Sequence, residues 1–69
     1  MTKIIHISGM SCKHCADHVE KALNAIDGVI KATVDLSADI ATVTLKKDIA
    51  DNVFAEAIIS AGYVFKEIE

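Results

Sequence analysis

Residues 29–46 read Val-Ile-Lys-Ala-Thr-Val-Asp-Leu-Ser-Ala-Asp-Ile-Ala-Thr-Val-Thr-Leu-Lys. Two β-branched-rich runs, 29–36 and 40–46, flank the turn residues Ser37, Ala38 and Asp39. Ala32, Val34 and Leu36 fall on one face of the first run, and Ala41, Val43 and Leu45 on one face of the second. That period of two marks half-buried strands, and the short connection makes them an antiparallel hairpin.

Working outward, the segment before the hairpin is helical. From about residue 13 to 26 the apolar positions Cys15, Val19, Ala22, Leu23 and Ile26 form one helix face. Asp17, Glu20, Lys21 and Asn24 fall on the other side. Asp27-Gly28 ends this helix, and Ser11 is a candidate N-cap. Upstream of a loop at 9–13, residues 2–8 alternate as a strand with Ile5 and Ile7 inward, which leaves His6 and Thr44 on the exposed sheet face. Downstream, Val53, Phe54, Ala57, Ile58 and Ala61 predict a helix over 50–61, with Asp48 or Asp51 as its cap. Gly62 stops it, and 63–68 reads as a last strand. The order is βαββαβ. It predicts an α+β, ferredoxin-like fold with two helices on one face of a four-stranded antiparallel sheet. Ile5, Ile7, Val19, Leu23, Val34, Val43 and Ile58 are the expected core.

Sixty-nine residues leave room for one domain, 1–69. At 52% apolar and 25% charged, the composition argues against disorder. No apolar run approaches the roughly 20 residues of a membrane span, so no membrane insertion is expected. Seven Lys and no Arg against ten acidic residues argue against a nucleic-acid backbone as partner, and the three aromatics Phe54, Tyr63 and Phe65 against a base-stacking surface. The N-terminus lacks the pattern of a secretory signal, which points to a cytoplasmic location.

The chemistry gathers at Gly9-Met10-Ser11-Cys12-Lys13-His14-Cys15. A disulfide between Cys12 and Cys15 would close a four-residue loop, for which the chain-entropy model gives only about 2 kcal/mol. The two are therefore read as reduced thiols. They lie where a strand ends and a helix begins. Unpaired N–H groups and the helix dipole favour thiolate there, and both thiol pKa values are expected to fall. Lys13 adds a local cation. Adjacent thiolates repel each other until a cation shares them, so the pair is poised for a soft metal. Thiolates select Cu(I), zinc or iron–sulfur clusters. Structural zinc usually takes four ligands. A set of Cys12, Cys15, His14 and His18 would strain the helix. Cu(I) accepts two thiolates and needs no histidine, and an open pair lets an incoming thiol take the ion.

In that register, after the first strand of a βαββαβ chain, GMSCxxC resembles the heavy-metal-associated domain, and more narrowly the small bacterial copper chaperones. The similarity spans essentially the whole chain, including Gly28-Val29 and Ala61-Gly62-Tyr63. It implies that Cys12 and Cys15 bind Cu(I). It also implies delivery to a copper-transporting P-type ATPase, through an intermediate in which thiols of both proteins share the ion. Zinc- and cadmium-type relatives often carry an acidic residue before the first cysteine. Ser11 stands there, which favours a monovalent ion. Tyr63 follows the glycine of the last helix–strand loop, as in the bacterial type, and the resemblance gives it a role shielding the site. Mercury-binding periplasmic relatives have a signal peptide, which is missing here.

Each of these residues has a plainer reading. The cysteines can be inert or disulfide-linked, or belong to a thioredoxin-like redox enzyme, although that motif's flanking Trp and Pro are absent. His14 is either a solvated side chain or an auxiliary third ligand, and His18 a surface histidine. Met10 is better read as an apolar anchor beneath the loop than as a thioether ligand. Asp17, Glu20, Lys13 and Lys21 form either a docking face or a solvated helix surface. The expected function is a non-enzymatic copper(I) chaperone. The alternatives are an excised N-terminal module of a copper-pumping ATPase, from which the start at Met1 and the compact end at Glu69 point away, and a relative that binds a divalent ion such as zinc or mercury. A homodimer bridged by copper between two thiol pairs is a further possibility for the loaded state.

Overall fold

In the computed structural model, which describes residues 1–69, the alternation at the start of the chain becomes β1, Thr2–Ser8, with Ile5 and Ile7 buried. The other elements are α1 (Lys13–Asn24), β2 (Val29–Asp35), β3 (Ile40–Leu45), α2 (Asp51–Ser60) and β4 (Val64–Ile68). All strand pairings are antiparallel, and the strands lie in the order β2-β3-β1-β4. This is the expected ferredoxin-like arrangement. The two βαβ halves interleave, so β1 and β3 are central while β2 and β4 form the edges.

The core lies between the sheet and the helices. Ile5, Ile7, Val19, Leu23, Val43, Phe54 and Ile58 are its largest fully buried side chains. Full burial of such a side chain contributes about 1.5–3 kcal/mol relative to exposure. Ala16, Ala32 and Ala41 are also buried. Their small side chains let helix and sheet approach closely. Val34, expected in the core, is only half-buried because its strand is an edge.

Several local expectations are corrected. Cys12, not Ser11, is the N-cap of α1, with extended backbone and no side-chain capping bond. The helix stops at Asn24 rather than 26, and Ile26 packs against the core from beyond its end. At α2 the N-cap is Ala50, so neither Asp48 nor Asp51 caps it. Asp51 instead sits in the first turn, where Lys3 Nζ donates to its carboxylate at 3.1 Å. Val53 points outward at 36% exposure, while Phe54 and Ile58 carry the buried face of α2. Gly28 ends the α1 connection with φ +102°, and a Cβ there would lie 2.8 Å from Lys47 Cε. Side chains rarely adopt that backbone angle, so only glycine makes this turn without strain.

Glu20 and Asn24 do not simply face solvent. The Ala32 N–H donates to Asn24 Oδ1 at 3.0 Å, and the Val34 N–H donates to the Glu20 carboxylate at 3.1 Å. Asn24 Nδ2 in turn donates to the Glu20 carbonyl at 2.9 Å. Unpaired N–H groups on an edge strand invite pairing with another chain. Here two helix side chains satisfy them. Asn24→Ala should therefore lower stability by about 1 kcal/mol. Denaturant unfolding measures that loss, and amide exchange at Ala32 should quicken at the same time. Unchanged exchange at Ala32 would show that the bond does not hold in solution.

Candidate metal centre

The chain leaves β1 at Ser8 and turns at Gly9, whose φ of +96° lies in the left-handed region that favours glycine. Met10 then returns to the interior, 7% exposed and within the core cluster. Held at that point, the backbone reaches Cys12 in extended conformation and enters the helix. The Cys12 carbonyl accepts from the N–H groups of Cys15 at 3.1 Å and Ala16 at 3.2 Å. The first turn of α1 thus forms around Cys12.

Cys12 Sγ and Cys15 Sγ lie 3.6 Å apart as free thiols. Cys12 is exposed and Cys15 half-buried. No third histidine, cysteine or carboxylate ligand atom joins the two sulfurs in a group within 4.8 Å. His14 is exposed, and its ring centroid lies 4.6 Å from that of His18. The two rings are neighbours on the outer surface of α1. Lys13 is exposed in the same turn.

The Cys15 thiol is lowered to about 6. The main cause is a hydrogen bond from the Tyr63 hydroxyl, followed by the Ser11 backbone N–H, the Cys12 thiol and the Ser11 hydroxyl. Partial burial opposes these bonds. Lys13 is not among the causes. The same contact holds the Tyr63 hydroxyl above its ordinary value, reinforced by the nearby thiolate charge. Ser11 therefore acts on the sulfur rather than on the helix end, a role its position alone did not disclose. Tyr63 packs over the loop, with Cδ1 3.8 Å from where a Cβ on Gly9 would lie.

This arrangement makes the anionic state of the pair accessible near neutral pH. One thiolate can be shared with the remaining proton of its neighbour, and a metal ion that replaces that proton meets two sulfurs on the protein surface. Because the folded-state value of Cys15 is depressed, its contribution to stability is complete above the ordinary thiol range and is lost as pH falls through about 6. Tyr63→Phe removes the main donor. The Cys15 midpoint, read from alkylation rate against pH, should move upward from about 6. An unchanged midpoint would remove Tyr63 from the account.

The chain is 42% identical over 67 residues to Copper-transporting ATPase 2 of Rhizobium meliloti, covering 96% of this chain but only 8% of that protein. It is 37% identical over 67 residues to Copper chaperone CopZ of Staphylococcus haemolyticus, covering 96% of this chain and 98% of that one. A solved structure described as CopZ metallochaperone superposes with a TM-score of 0.89 at 37% identity, covering 96% of this chain and 100% of that chain. The model of the heavy-metal-associated domain matches residues 4–64. The chain belongs to the heavy-metal-associated domain family.

Proposed function

We propose that this chain is a single-domain Cu(I) carrier of the cytoplasm, without catalytic turnover, which passes its ion to the metal-binding domain of a copper-transporting P-type ATPase. The observation that supports it is the surface pair of sulfurs at 3.6 Å with no third ligand group beside it. Two soft donors suit a soft monovalent ion, whereas structural zinc usually takes four ligands. Two metal–sulfur bonds of about 2.3 Å set end to end would span about 4.6 Å. Cys12 is exposed, and its side chain can rotate to open the pair toward that separation.

Transfer then follows from ligand exchange. A thiolate of the partner attacks the bound ion at its open side and forms a third copper–sulfur bond. One of the two original bonds breaks, and the released sulfur takes a proton. A second exchange completes delivery, with no change in oxidation state. The exposed Cys12 is the natural first leaving sulfur, because its side chain can rotate away from the ion.

A second reading, that the chain is a module of a larger copper pump, is favoured by its 42% identity to part of an ATPase. The site chemistry would be the same. The mass of the native protein in its source cell separates the two.

Anaerobic Cu(I) titration followed by native mass spectrometry tests the carrier reading. One Cu(I) per chain is expected, with loss of tight binding in Cys12→Ser and in Cys15→Ser. Retained stoichiometry in either variant would overturn it, and a dimer mass would show copper shared between chains. Because Cys12 is exposed, Cys12→Ser should leave apo stability within about 0.5 kcal/mol in a denaturant melt.

A further inference from the structure

The open face of the sheet, away from the helices, carries a second group of metal-ligating side chains. His6 on β1 lies directly opposite Glu67 on β4. Glu69 lies opposite Ile4, held there by reciprocal backbone bonds: the Ile4 N–H donates to Glu69 at 3.3 Å and the Glu69 N–H donates to Ile4 at 2.8 Å. Residues two apart on a strand share a face. His6, Glu67 and Glu69 therefore project together, and one ligand atom from each lies within 4.8 Å of the others. His6 Nε2 already donates to the Glu69 carboxylate.

We propose that His6, Glu67 and Glu69 form a second metal site, for a divalent cation of the borderline Zn2+ class. One imidazole nitrogen and two carboxylate oxygens suit such an ion, whereas they are too hard a set for Cu(I). Zinc bonds to these donors run about 2.0–2.2 Å, which places tetrahedral ligand atoms about 3.4 Å apart. The widest pair needs to close by at most about 1.4 Å from the 4.8 Å limit, while the hydrogen-bonded His6–Glu69 pair opens to admit the ion, movements within the reach of two exposed glutamates. His6 binds as the neutral ring with its hydrogen on Nδ1, so the ion takes the place of the hydrogen that Nε2 now gives Glu69. The strand pairing fixes the backbone beneath all three, and the site is thereby largely assembled before the ion arrives. Asp39 and Lys66 border the same groove, one adding to its negative potential and the other opposing it.

The site uses neither thiol. The two metal centres would sort ions by softness: the thiol pair takes a soft ion, and the open sheet face a borderline one.

Zn2+ titration of a Cys12→Ser/Cys15→Ser chain, followed residue by residue through amide and imidazole NMR signals, tests the proposal. The dispersion of the same spectra reports that each variant is folded. Saturable shifts are expected at His6, Glu67 and Glu69, reversed by a chelator. His6→Ala should abolish them, and Glu67→Gln should weaken binding about tenfold, which is ~1.4 kcal/mol. Saturable shifts confined to His14 and His18 would overturn the proposal. So would unchanged affinity in His6→Ala, or no saturable change up to about 1 mM Zn2+.

Discussion

The pairing of β1 with β4 sets the geometry of both candidate sites in this molecule. Ser8 opposes Val64 and Ile7 opposes Phe65, one step before Gly9 and one step after Tyr63. That register brings the loop bearing the thiols beside the loop bearing Tyr63. It is interrupted once, between His6 and Ile7, where Lys66 is the extra residue. Without the bulge, strict alternation would turn Glu67 toward the buried face opposite Ile5. With it, Ile68 takes that place and Glu67 moves out beside His6. A buried, unpaired carboxylate would cost several kcal/mol. The bulge is thus the solution that lets Phe65 and Ile68 both face the core although they are three apart.

Fold stability and site chemistry are largely carried by different residues. The fully buried side chains come from the sheet and from the inner faces of α1 and α2, and neither sulfur is among them. Met10 is the link, a core residue that fixes the loop from inside while the next turn stays exposed. The two thiols can therefore remain accessible to solvent without weakening the interior. The edge strand β2 is guarded separately, by Glu20 and Asn24. Self-association through that edge is disfavoured by Asn24 and by Glu20, the latter a residue that a helix-surface reading would assign to partner docking.

The sequence was most legible where periodicity and glycine agree. Alternation in 29–46, helical spacing around Val19 and Leu23, and the breaks at Gly28 and Gly62 were enough to place all six elements within a residue or two. The closeness of the two thiols was legible because cysteines three apart at a strand-to-helix junction share the first helical turn. What stayed hidden depends on contacts distant in sequence. Glu20 and Asn24 have ordinary solvent-face spacing, and only the packed edge of β2 turns them inward. Ser11 looks like a cap, but the chain spends its N-cap position on Cys12 and leaves Ser11 to the sulfur. The grouping of His6 with Glu67 and Glu69 needs the bulge. Its only trace in the sequence is that Phe65 and Ile68 cannot share a face of a regular strand.

Tyr63 shows how the site can be reactive without being a trap. A lysine in the place of Tyr63 would add fixed positive charge to the pair. A hydroxyl is neutral and acts only through one directed bond. That bond is strongest to a full thiolate, because charge-assisted hydrogen bonds exceed neutral ones. Once a sulfur shares its electron density with a metal ion, the same bond weakens. On the proposed function, Tyr63 therefore stabilises the empty, ionised site more than the loaded one. It prepares Cys15 to accept an ion while trimming the affinity that would oppose release. The depressed thiol value and an easier release of the metal are then two consequences of one hydrogen bond.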